Sequence, residues 1–142
     1  MPGVPMSASI RGLACTLVHG PSGSTLRTIP PVDNGGDGSS FSPTDLVGVA
    51  LASCALSTMA LQAAREGLAW GDASASVEKR MTPPPRRIGE LVLVFDMPRE
   101  ARPAERARLE EIARSCPVAR SLHADVKIPM EFRYPAAAGA AR

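Results

Sequence analysis

The stretch that decides how this chain reads is SPTDLVGVALASCALSTMAL, Ser42 to Leu61. From Leu46 to Leu61 it carries no charge, and near its middle stands one thiol, Cys54. Its start signals are dense. Ser42 is a good N-cap, Pro43 suits the first helical position, and Asp45 stands where the acid of a capping box stands. Its stop is equally clear, with Arg65 in the last turn and Gly67 beyond it as a left-handed cap. The punctuation predicts one helix from Pro43 to Glu66, about 36 Å long at 1.5 Å per residue. Apolar residues occupy every side of it, so the expectation is a helix buried all round. Cys54 is then either a small apolar filler, as free cysteines often are, or the group this helix exists to hold.

Outward from the helix, residues 8–29 alternate loosely between apolar and polar and are broken by HGPSG, which predicts two short strands. PPVDNGGDGSS (30–40) reads as a Gly-rich loop. ASASVEKRM (73–81) alternates as a strand, TPPPRR turns it, and IGELVLVFDMP (88–98) is the strongest strand pattern in the chain. RPAERARLEEIARS (102–115) has Leu109, Ile112 and Ala113 on one helical face. A helical turn, PVARSL, and a last strand, ADVKIPMEFRYP, follow. Strands, long helix, hairpin, helix and strand in that order make the fold class α+β. A single domain over 8–134 is expected, with 1–7 and 135–142 as flexible ends.

At 142 residues, with 44% hydrophobic and 21% charged residues, the chain needs neither disulfide nor metal to fold. Sixteen Lys and Arg against fourteen Asp and Glu leave +2, too little to argue for nucleic acid or an anionic membrane. Lys79, Arg80, Arg86 and Arg87 gather at one hairpin end without aromatics for base stacking, so they read as a solvated rim. The uncharged run is shorter than the ~20 residues of a membrane span, and Pro2, Pro5 and Arg11 interrupt any leader-like core. His19 and His123 are isolated, no C-x-x-C or His-x-His spacing is present, and no Gly-rich loop has phosphate-cradling spacing. No metal, cofactor or nucleotide is therefore expected. A cytoplasmic protein follows, with Cys15, Cys54 and Cys116 resting as thiols.

Cys116 is placed as tellingly as Cys54. Pro117 disfavours helical geometry in the residue before it and can open the next turn, which leaves Cys116 at an N-cap. There the dipole and nearby N–H groups would favour the thiolate; the alternative is a packing corner. Cys54, mid-helix, has no free N–H to help it. Desolvation would raise its pKa, so reactivity would require a cation from another segment, arginine above all.

SPTDLVGVALASC, followed some sixty residues later by LEEIARSCPVARSLHADVKI, resembles the OsmC/Ohr family of thiol-dependent hydroperoxide reductases. The match lies in the S/N-P-x-E/D-L helix motif with its cysteine eight residues past the leucine, and in a C-P-V that closes a second helix. The resemblance implies an intertwined homodimer with long central helices sandwiched between antiparallel sheets. It implies that Cys54 attacks an organic hydroperoxide and becomes a sulfenic acid. Cys116 then condenses with it to a disulfide, and a dithiol such as a dihydrolipoyl group reduces that bond. Against the family pattern, the glutamate that follows the proline is replaced here by Thr44, with the acid at Asp45. At 100° per residue, ten residues bring a side chain within ~80° of the cysteine's face and nine put it ~180° away, so Asp45 is expected to cap. The resemblance implies an activating arginine from the N-terminal hairpin or the loop before the helix. VDNGGDGSSF contains none; Arg27 on the second strand is the nearest in sequence and the candidate, and Arg86 and Arg87 follow the Pro-rich turn. The alternative function is a non-enzymatic dimer that binds or senses a small apolar or thiol-reactive molecule in the same pocket.

Overall fold

The computed structural model describes residues 1–136. It divides into two compact units, Met1–Val47 and the part from Gly48 onward, with the division inside the long helix.

The first unit is a three-stranded antiparallel meander of β1 (Met6–Arg11), β2 (Ala14–His19) and β3 (Thr25–Thr28). Three strands replace the two expected, because a tight turn at Gly12 (φ 63°) divides what reads as one run. A lone glycine at positive φ makes this turn without the usual sequence cluster. β1 also starts at Met6, inside the end expected to be flexible. The second turn is held by His19, whose Nδ1 meets Ser22 Oγ at 2.6 Å. The register sets Ala8 opposite Leu17 and Leu17 opposite Leu26, and likewise Ile10 opposite Cys15. Directly opposed residues share a face, so this face is apolar, and an open groove of about 500 Å³ runs along it.

α1 runs from Pro43 to Glu66, 24 residues, as the sequence predicts. Ser42 and Asp45 cap it reciprocally. The Ser42 N–H donates to the Asp45 carboxylate at 2.8 Å, and the Asp45 N–H donates to Ser42 Oγ at 3.1 Å. At the other end Gly67 (φ 70°) lets the Leu68 N–H reach back to the Ala63 carbonyl at 2.9 Å, the bond of a Schellman stop.

In the second unit α1 buries one face, made of Gly48, Leu51, Ala52, Ala55, Met59 and Ala63. The all-round burial expected of it is therefore corrected: within one chain Leu61 is 57% and Val49 37% exposed, and Ala50, Ser53 and Ser57 are exposed with them. By length and composition alone the helix could cross a membrane; the packed face is what ties it to the rest of the unit. β4 (Ser74–Met81) and β5 (Ile88–Asp96) form the antiparallel hairpin, and Leu91, Leu93 and Phe95 alternate inward along β5. Gly48 lies against this hairpin, where an added Cβ would sit 3.4 Å from Leu91 and 3.5 Å from Val77.

β6 (Met130–Arg133) runs parallel to β5, so the second sheet is mixed where antiparallel sheets were expected. The chain leaves β5, crosses over through helices and returns in the same direction, the connection a parallel pair requires. The strand is also shorter than the 124–135 pattern. Pro129 has no N–H to give, and before it pairing reduces to a bridge between Lys127 and Glu90. The crossover holds a single turn at Pro103–Glu105, then α2 (Arg106–Arg114) and α3 (Pro117–Ser121). Leu109, Ile112 and Ala113 of α2 are buried as predicted. Phe95 stacks on Phe132 at 4.9 Å, and Arg114 of α2 lies 5.2 Å above the same Phe132 ring. The expectation of a flexible tail falls largely on residues 137–142, outside the described residues.

Candidate active site

Cys54 occupies the middle of α1, half-buried. One helical turn on, Thr58 is the neighbour that i, i+4 spacing brings to the same face, and its Oγ1 lies 3.8 Å from the Cys54 sulfur. Cys116 is fully buried, at 0% exposure. Its backbone is extended (φ −64°, ψ 156°), because Pro117 opens α3 directly after it, and its carbonyl accepts from the Arg120 N–H at 3.0 Å. Cys116 thus sits at the N-cap read from the sequence. Both cysteines are free thiols, and the structure brings their side chains into interaction.

The electrostatics of Cys116 differ from the expectation. Burial pushes its thiol above the ordinary range, the hydrogen bond and charge of Cys54 push it the same way, and the N–H groups of Ala119 and Val118 pull against them. The N-cap groups are present, yet they lose to desolvation. Of the two cysteines, the deeply buried one is Cys116, whereas Cys54 keeps partial access.

The acid expected to cap does so. Asp45 is held in the capping box, and Thr44 Oγ1 meets Ser42 Oγ at 3.2 Å. Arg27 lies on β3 in the first unit. Its guanidinium donates to Ser39 Oγ at 3.3 Å and its carbonyl accepts from Ser40 Oγ at 3.0 Å; Ser39 hydrogen bonds first, and the Arg27 charge after them, hold the Asp37 carboxyl low. Arg87 pairs with Asp125 at 3.4 Å, and His123 accepts from the Asp125 N–H at 3.0 Å on the surface. Cys15 is half-buried on β2 between Ile10 and Thr28. Among the described residues no group of three or more His, Cys, Asp or Glu is placed to hold a metal. The residue missed by sequence reasoning is Thr58; its spacing of four from the thiol inside a certain helix was the available signal.

With two thiols meeting across α1 and the end of α2, comparison with known proteins becomes informative. The sequence profile of the OsmC-like protein family matches residues 36–131, the span that carries both cysteines. This chain belongs to the OsmC-like family. Its fold is that of a Psychrobacter arcticus 273-4 protein named for osmotic stress induction and detoxification response, at 30% identity and TM-score 0.85, over 94% of this chain and 98% of that one. Two more distant OsmC-like folds match as well. The organic hydroperoxide resistance protein OsmC of Legionella pneumophila gives 19% identity and TM-score 0.74, over 93% and 97% of the two chains. The organic hydroperoxide resistance protein OhrB of Bacillus subtilis gives 15% and 0.65, over 92% and 98%. No curated protein matches the chain.

Proposed function

We propose that this OsmC-like protein is a thiol-dependent peroxidase that reduces organic hydroperoxides. The observation that carries the reading is the meeting of Cys54 and Cys116, in a fold shared with proteins named for organic hydroperoxide resistance. The Cys54 thiolate attacks the outer peroxide oxygen, the O–O bond breaks, and the alcohol leaves with a proton while sulfur becomes a sulfenic acid. Cys116 then attacks that sulfur as a thiolate. A disulfide forms, water departs, and an external dithiol of the dihydrolipoyl kind returns both thiols while being oxidised itself. Half-burial of Cys54 suits the attacking role and full burial of Cys116 suits the resolving one. A cysteine already beside the sulfenic acid traps it before over-oxidation.

In this reading Arg27, on the N-terminal hairpin, is the arginine offered for activating Cys54. The working form is a homodimer that covers the exposed apolar side of α1, and the setting is a cytoplasm that keeps resting thiols reduced. The competing reading, a non-enzymatic dimer that binds or senses a small apolar or thiol-reactive molecule, is favoured by Thr44 standing in place of the acid.

Peroxide consumption with dihydrolipoamide, comparing cumene hydroperoxide with hydrogen peroxide, separates the two. The expected result is turnover with preference for cumene hydroperoxide, and a Cys54–Cys116 bridge in peptide maps that leaves Cys15 free. Absence of turnover, or a bridge through Cys15, overturns the peroxidase reading.

A further inference from the structure

We propose that the Thr58 hydroxyl is the local hydrogen-bond donor that holds the Cys54 sulfur in its ionised, attacking form, a role that rests on the peroxidase reading of Cys54. Three observations lead there. Thr58 Oγ1 stands 3.8 Å from Cys54 Sγ, within reach of a sulfur hydrogen bond. Both side chains are half-buried, so water competes weakly for the contact. The surrounding helix is rich in alanine, with Ala52, Ala55, Ala60, Ala63 and Ala64. Threonine forms helix less well than alanine, by up to ~0.7 kcal/mol in its rank group, so local propensity does not account for position 58.

The contact favours one protonation state over the other. Against a neutral thiol, the hydroxyl can donate or accept while the S–H is a weak donor and the sulfur a weak acceptor, and either side can give the proton. Against a thiolate only the hydroxyl can donate, and a hydrogen bond to an ionised acceptor is about twice as strong as a neutral one. The bond therefore stabilises the anion more than the thiol. The same unit brings the Cys116 thiol to Cys54. It is uncharged while buried, and if ionised it would oppose a second negative sulfur. β-branching leaves threonine few rotamers in a helix, and the one adopted here sets Oγ1 over the preceding turn, 3.8 Å from the Cys54 sulfur. Serine at 58 would supply the hydroxyl with more freedom; valine would supply the shape without it.

The test follows the alkylation rate of Cys54 by iodoacetamide as a function of pH, read peptide by peptide in the otherwise unaltered chain. Thr58→Val is expected to weaken stabilisation of the attacking anion by the worth of a single hydrogen bond to a charged group. That loss is partly offset by a rise in intrinsic nucleophilicity at a Brønsted slope of about 0.4–0.5. The net expectation is a roughly three- to fourfold slower reaction. Thr58→Ser should keep the wild-type profile. Where valine disturbs the fold, Thr58→Ala removes the same hydroxyl in a better helix former and should show the same slowing. An unchanged profile in the hydroxyl-free variants, or a Thr58→Ser profile shifted as far as Thr58→Val, overturns the proposal. Alkylation needs no peroxide, so a clear shift in a protein that fails to turn over hydroperoxide would leave the Thr58 contact standing and sink the peroxidase reading alone.

Discussion

Arg108 of α2 forks across the carboxylate of Glu66 at the end of α1, with Nε donating to Oε1 at 2.9 Å and Nη2 donating to Oε2 at 2.5 Å. Gln62 adds a third donor to Oε2 at 2.6 Å. The pair fixes α2 against α1, and Cys54 rides on one helix while Cys116 follows the other. Arg108 first and Gln62 second hold the Glu66 carboxyl at about 2 against an ordinary 4.5. A carboxyl depressed in the folded state contributes stability above its unfolded value and loses it as pH falls through the folded one. Denaturant titrations between about pH 5 and 2 should therefore show an acid-sensitive component that Glu66→Gln removes. Because the pair is exposed, high salt should shrink the difference between the two proteins. Equal acid limbs in wild type and variant at low salt would count against the clamp.

The raised Cys116 thiol predicts the pH dependence of disulfide closure. Burial is the larger cause and the Cys54 sulfur adds to it. Once Cys54 becomes a neutral sulfenic acid the charge contribution disappears and the burial contribution stays. Few Cys116 thiols are ionised at neutral pH, so closure should accelerate from about pH 6 to 9 as the attacking thiolate forms. Acid-quenched time courses after one equivalent of cumene hydroperoxide measure it, and Cys116→Ser should leave the sulfenic acid trapped. A flat profile is the outcome that denies Cys116 the attacking role.

The capping box separates structure from chemistry at the head of α1. Asp45 is engaged with the Ser42 N–H and Ser42 with the Asp45 N–H. Ser42→Ala should cost about 1 kcal/mol, within the usual 0.5–2 kcal/mol for a lost cap, and Asp45→Asn no more than that. Neither should change the oxidation rate of Cys54. Thr44→Glu should instead speed oxidation, by restoring the carboxylate that can anchor an arginine through paired hydrogen bonds. Urea titration and stopped-flow oxidation on the same three variants test the division. An Asp45→Asn protein of normal stability with a silent Cys54 would make Asp45 part of the chemistry.

A second copy is expected on the outer side of α1. Leu61 is 57% exposed and Val49 37%, and large contiguous apolar surface on a lone chain marks an interaction site. Sedimentation at micromolar concentration should report a dimer, and Leu61→Glu should shift it toward monomer. A wild-type monomer at that concentration refutes the expectation.

How legible the molecule was in its sequence depended on how local each determinant is. α1 could be bounded to the residue because Ser42, Asp45 and Gly67 act within one turn of its ends. Residues 8–29 hold one strand more than their pattern indicates, because Gly12 alone makes a turn that usually needs several marked residues. The parallel pairing of β6 with β5 was invisible, since nothing in MEFR specifies the direction of its partner. The juxtaposition of Cys54 and Cys116 is non-local too; it came from resemblance to a family and could not be reached through periodicity. The burial of Cys116 shows the limit of an N-cap argument: position predicted which N–H groups would surround the sulfur, but not that removal of water would outweigh them. Thr58 was hidden among apolar neighbours, although its spacing from Cys54 was in plain view.

Cys54 and Cys116 are neighbours in space and some sixty residues apart along the chain. A covalent link between them would close most of the second unit into a ring. Chain-entropy arguments give a ring of that length about 4 kcal/mol against unfolding, a large fraction of what a small domain has. Oxidation would then be felt as toughness. A molecule carrying the bridge would melt later and resist proteases longer than its reduced twin, and reduction would return it to an ordinary lifetime. The recent history of oxidants around the protein would thus be written into how long each copy survives.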